Sequence, residues 1–185
     1  MISQIAEAYN GNINLIIYYT GHGIPNESSG DSFLLPIDGY TSDLSTCLSL
    51  ADLYIELGKL PAQKILFFID ACFSGSSRGN GMLQTARGVA LKAKSASPKG
   101  KMVIFSAAQG DETAYSFEEQ KHGLFTYFLL KKIQETNGNI TLGNLSEYLI
   151  ENVKKKSLLT NNKLQSPTVI VSELVNNDWS NWTIY

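Results

Sequence analysis

Lys64-Ile65-Leu66-Phe67-Phe68-Ile69, running directly into Asp70-Ala71-Cys72-Phe73-Ser74-Gly75, is the stretch whose reading decides the fold. Five consecutive apolar residues with no polar alternation are too few for a core helix. They fit a strand buried on both faces, as in a parallel sheet covered on each side by helices. Asn14 to Tyr19 (NLIIYY) reads the same way and ends at Thr20-Gly21-His22-Gly23. Two buried strands thus stop at residues able to do chemistry, one at a histidine and the other at a cysteine.

The flanking sequence supplies the rest of a layered α/β pattern. Ile2, Ile5, Ala6 and Tyr9 recur at helical spacing before Asn10-Gly11 stops the run. A polar loop and a short apolar piece at 33–35 follow. Ser49 and Asp52 then open a helix with Leu50, Leu53 and Leu57 turned inward, and Gly58 and Pro61 close it. Residues 76–101 are rich in Ser, Gly and Lys and read as a loop, with one short helix over 83–93. A third strand covers 102–105. A helix over 123–134 uses Leu124, Phe125, Phe128, Leu129 and Ile133, and Asn137-Gly138 turns the chain. Thr141 caps a helix carrying Leu142, Leu145, Leu149 and Val153, and 167–171 is a last strand. Strands alternating with helices predict one α/β domain with a mainly parallel sheet.

Composition narrows the functions. The chain has 185 residues, 43% hydrophobic and 17% charged, with a formal charge of -2. The isoelectric point of about 5.7 gives no footprint for a nucleic-acid partner. Lys154 to Lys156 reads as a solvated helix end favoured by the helix dipole. No apolar stretch reaches the ~18 residues of a membrane span, and no secretory leader pattern opens the chain. Cys47 and Cys72 form no C-x-x-C pair, so neither a disulfide framework nor a zinc site is indicated, and the expected compartment is the cytoplasm.

In open α/β sheets the carboxyl ends of the strands gather the ligand-binding loops. If the two apolar strands are neighbours, about 4.8 Å apart, His22 and Cys72 project from adjacent loops on one edge. An imidazole there activates a thiol and then protonates the leaving amine. The Gly23 and Cys72 amides are candidates for an oxyanion hole, with Gly21 and Gly23 letting the backbone turn sharply and come close. Asp70, two residues before Cys72 in extended chain, faces the same way and would select a basic side chain. An acidic substrate would need arginine, and the two arginines, Arg78 and Arg87, both lie in the 76–101 loop. Cys47 has nothing beside it to activate it and reads as structural. Asp111 and Glu112 read more simply as turn residues than as ligands, and His122 as a helix start.

These residues resemble the caspase/metacaspase family. The resemblance rests on Thr20-Gly21-His22-Gly23, on Asp70 to Gly75 and on a histidine fifty residues before the cysteine. The stretches Ser106 to Tyr115 and His122-Gly123-Leu124-Phe125-Thr126 also look like the family, so the resemblance covers about 13–171. It implies a three-layer α-β-α fold and a cysteine peptidase with His22 and Cys72 catalytic. It further implies that Thr20, Ser106, Asp111, Ala114 and Tyr115 join Asp70 in binding substrate. Asp70 stands where caspases carry Gln, and Ala114-Tyr115-Ser116 lacks their arginine. Both departures are similar to metacaspases, which cut after Arg or Lys. The acidic calcium ligands of that branch find no match, so no cofactor is expected. The family's usual first strand and helix have no counterpart here, which implies either that Met1 opens a fragment or that a separate N-terminal segment completes the sheet. Loop 76–101 presents Arg78, Arg87, Lys92, Lys94 and Lys99 as candidates for self-cleavage. The rivals are a non-catalytic scaffold of the same fold and, from Cys72 to Arg78, a C-x5-R phosphatase loop, which Asp70 disfavours by repelling a dianion.

Overall fold

The computed structural model describes residues 2–26, 28–73, 96–110 and 112–185. The expected helix over 83–93, most of loop 76–101 and Asp111 lie outside the described residues.

The chain opens with α1 (Ile2–Ala8) and passes through Asn10 and Gly11, both at positive φ, into β1 (Asn14–Thr20). Two short strands, β2 (Gly23–Pro25) and β3 (Ser32–Leu34), pair antiparallel, and β3 also pairs with β4 (Leu48–Ser49). Helix α2 (Leu50–Gly58) starts as expected, with the Ser49 hydroxyl accepting from the Asp52 N–H at 3.3 Å. Next come β5 (Lys64–Asp70) and β6 (Met102–Ser106), then a two-residue hairpin of β7 (Ser116–Phe117) with β8 (His122–Gly123). Helices α3 (Leu124–Thr136) and α4 (Leu142–Asn161) precede the last strand, β9 (Thr168–Val171).

The principal sheet has the order β1-β5-β6-β9. The first three strands are parallel and β9 runs antiparallel to β6, so the sheet is mixed but mainly parallel. Alternate residues of β5 feed two cores. Leu66 and Phe68 point with Phe105 toward α3 and α4. Ile65, Phe67 and Ile69 point with Ile104 toward α2 and the small sheet. Phe68 and Phe105 stack at 5.1 Å between ring centres, tying neighbouring strands together. These two covered faces are the layers of the α/β architecture.

Two expectations are corrected. Strand β1 is not buried on both faces: it is an edge strand among the described residues, and its exposure alternates. Ile16 is 48% and Tyr18 46% exposed on the side facing α3. The helix expected at the start is present as α1, with Ala6 buried and Ile2, Ile5 and the following Tyr9 exposed. Lys154 to Lys156 lie within α4, which continues to Asn161, and Lys156 sits over the Phe117 ring at 4.5 Å.

Candidate active site

The parallel register sets Thr20 opposite Asp70, so β1 and β5 end level with each other. The Gly21 N–H continues the ladder to the Asp70 carbonyl at 3.3 Å. Beyond that point the two loops pack against each other. A Cβ added at Gly23 would collide with the Phe73 ring and come within 2.6 Å of the Cys72 carbonyl oxygen. The His22 loop therefore lies directly on the Cys72 loop. Neither Gly21 nor Gly23 takes a positive φ. What these glycines supply is room for a close approach, not the sharp turn expected from sequence.

His22 is exposed, but its backbone is fixed. Its carbonyl accepts from the Leu35 N–H at 3.0 Å and from the Tyr19 hydroxyl at 2.9 Å, and the same phenol reaches the Leu35 carbonyl at 3.0 Å. Burial pushes the Tyr19 phenol up from its ordinary pKa, so it stays a donor. In the β2–β3 register Gly23 faces Leu34 while the flanking His22 and Leu35 share the hydrogen bond. Gly23 is then at a non-hydrogen-bonded position, and its N–H points away from β3.

Cys72 is buried, as is Asp70, which has no exposed surface. Both continue the Leu66–Phe68 face of β5 toward α3. The Asp70 carboxylate sits at the start of that helix. Gly123, the N-cap, offers no side chain, and Asp70 Oδ2 accepts the Thr126 N–H at 3.3 Å and the Thr126 hydroxyl at 2.6 Å. A carboxylate from a neighbouring strand thus caps α3 and meets the positive end of its dipole. A Cβ at Gly123 would run into Oδ2 and lie 2.9 Å from Cγ, so only glycine admits this contact.

Above the carboxylate is a cleft of about 440 Å³ lined by Tyr18, Thr20, Ser116, His122, Gly123 and Thr126, with Glu118 and Lys121 at its walls. The β7–β8 hairpin forms one side and the exposed face of β1 the other. Asp70 lies behind Gly123 and Thr126. Of the candidate substrate residues, Thr20 is in this cleft. Ala114 is fully buried, and Tyr115 is half-buried with its N–H on Gln165 Oε1 at 2.8 Å; both lead the chain into the hairpin. Ser106, paired with Ile69, faces the opposite side of the sheet. It lines a separate apolar cavity of about 540 Å³ with Leu50, Tyr54, Phe73 and Ile104. Glu112 binds the Ser166 backbone N–H and hydroxyl, anchoring its loop.

Sequence reasoning assigned no role to Tyr18, Thr126 or Gly123. Tyr18 could have been found, since it is two residues before Thr20 on the same strand face. Nothing in the sequence says that the third residue of α3 meets a residue fifty-six positions earlier.

The sequence over residues 2–177 matches the family model of the caspase domain. In structure the chain is similar to a protein from Geobacter sulfurreducens, with a TM-score of 0.67 and 18% identity. That match covers 98% of this chain and 74% of the other. It is also similar to caspase-1 from Spodoptera frugiperda, with a TM-score of 0.58, 17% identity, and 92% of this chain against 64% of that one. At such identities the likeness shows a shared fold. None of the curated proteins matches the chain.

Proposed function

Because the chain belongs to the caspase domain family, we propose that it is a cysteine endopeptidase that cuts peptide bonds after Arg or Lys, with Cys72 as nucleophile and His22 as acid and base. The observation that carries this reading is the abutment of Gly23 on the Cys72 carbonyl at the carboxyl ends of two adjacent parallel strands, beside a cleft backed by a buried carboxylate.

In the proposed reaction the Cys72 Sγ gives its proton to the His22 imidazole and attacks the scissile carbonyl carbon. The carbonyl oxygen gains the displaced electron pair and is held by the Gly23 and Cys72 N–H groups. Collapse of that tetrahedral species breaks the C–N bond, and His22 protonates the departing amine. Water, deprotonated by His22, then attacks the thioester and releases the acid with the thiol restored. The negative Asp70 side chain favours a cation in the cleft because a charge held away from water acts through a low dielectric. Thr20 contributes a hydroxyl to the same cleft.

Hydrolysis of matched peptides ending in Arg, Lys, Asp or Leu, by wild type and Cys72→Ala, tests this. Turnover of the basic substrates alone, lost in the variant, is expected. Turnover of p-nitrophenyl phosphate in place of peptides favours the phosphatase rival, and neither activity favours a non-catalytic scaffold.

Two proposals on partners and processing accompany it. A further chain segment pairs with the edge of β1 that is unpaired among the described residues, where the exposed Ile16 provides an apolar landing. The chain spans 74% and 64% of the two structural relatives, which carry additional residues. Segment 76–101 is the expected site of self-cleavage, which mapping new N-termini after incubation checks.

A further inference from the structure

We infer that Tyr18 and Thr126 determine what the cleft accepts, because the buried Asp70 carboxylate orients their two hydroxyls so that an oxygen acceptor faces the cleft. The inference rests on the proposed selection of basic side chains by Asp70 and extends it to residues that the sequence did not single out.

A hydroxyl carries one hydrogen. The Thr126 hydroxyl is 2.6 Å from Asp70 Oδ2 and donates to it, since a carboxylate has no proton to give. The 2.7 Å contact between Tyr18 and Thr126 must then run from the Tyr18 O–H to Thr126 Oγ1. The phenol proton is directed inward, and the lone pairs of the Tyr18 oxygen remain for whatever enters the cleft that both residues line. Asp70 has no exposed surface, so a ligand in the cleft meets this chain of hydroxyls and not the carboxylate itself. Hydrogen bonds linked in this way polarise one another where the dielectric is low. Lysine and arginine side chains carry donors and no acceptor. They match this wall, whereas a carboxylate ligand would have to draw the Tyr18 proton away from Thr126 Oγ1 and break that link of the network.

Tyr18 stands on the exposed face of an edge strand, so replacing its hydroxyl leaves the core packing intact. Thr126 is buried at the head of α3, so a conservative control is needed. Two otherwise identical peptide substrates ending in arginine or in citrulline, its neutral isostere, supply the readout. The ratio of their kcat/KM values is expected to fall about fivefold in Tyr18→Phe and about tenfold in Thr126→Val, the size expected for one hydrogen bond in a charge-bearing network. Thr126→Ser, which keeps the donor, is expected to restore the ratio. A general loss of structure would lower both substrates in parallel and leave the ratio unchanged. A wild-type ratio in both Tyr18→Phe and Thr126→Val overturns the inference. Agmatine binding, measured by calorimetry on the same proteins, separates it from the peptidase reading. Wild type that binds agmatine without cleaving peptides contradicts the peptidase while supporting the cleft assignment, provided Tyr18→Phe and Thr126→Val weaken binding. Wild type that neither cleaves the arginyl peptide nor binds agmatine overturns both.

Discussion

Strands β1 and β5 lie side by side in a seven-residue parallel register and read alike in sequence, yet they occupy opposite environments. Six of the seven residues of β5 are buried, whereas those of β1 alternate between exposed and half-buried. The matched pair Ile16 and Leu66 makes the contrast concrete: 48% of one is exposed and 1% of the other. An apolar run states that a segment prefers not to face water. It does not state whether a neighbour stands on both sides to oblige it. The division also bears on the proposed chemistry. The strand with fixed surroundings carries the nucleophile and the buried carboxylate, and the edge strand carries the exposed histidine and the open side of the cleft.

The largest expected effect lies at the end of the buried strand. Cys72→Ala should lower arginyl-peptide turnover by more than about a thousandfold, as removal of a covalent nucleophile does; steady-state assays with an intact far-UV spectrum decide it. Next comes stability, where urea unfolding of the matched pair measures the contrast directly. Leu66→Ala is expected to cost about 3 kcal/mol, and Ile16→Ala less than about 1 kcal/mol. Equal losses would mean that the face of β1 is covered in solution. Third, Asp70→Asn keeps an acceptor for the α3 cap while removing the charge. It should lower kcat/KM for the arginyl substrate about a hundredfold and for a leucyl substrate far less, which paired kinetics would reveal. The smallest effect concerns the open edge. Sedimentation is expected to show weak, concentration-dependent association that Ile16→Lys suppresses by placing a charge on the pairing strand.

Much of this architecture could be read from residues alone, for reasons that differ by element. The apolar runs at 64–69 and 102–105 announced the sheet centre because both faces of those strands are covered. Ser49 and Thr141 announced helix starts because their caps are local, each accepting the N–H three residues on. The position of β1 at the edge was not legible, since its run of Leu, Ile and Tyr is as continuous as the Ile, Leu and Phe run of β5. The β7–β8 hairpin was missed because two residues per strand carry no period. In the site, Asp70 and Cys72 were legible as neighbours on one face through simple alternation. The shielding of Asp70 behind Thr126 and Gly123 was not, because it depends on how α3 docks against β5. Ser106 was expected beside Asp70, but its register with Ile69 turns it to the other face of the sheet.

The chain contains a second cysteine, Cys47, half-buried near the Tyr40 carbonyl, and this provides an internal control for the central claim. Treatment with an arginyl chloromethyl ketone followed by peptide mass mapping should find one equivalent of label on Cys72, none on Cys47, and a rate of labelling that collapses in His22→Ala. Label on Cys47 instead, or labelling of Cys72 at the same rate without His22, would contradict a nucleophile built by two loops meeting at the edge of the sheet.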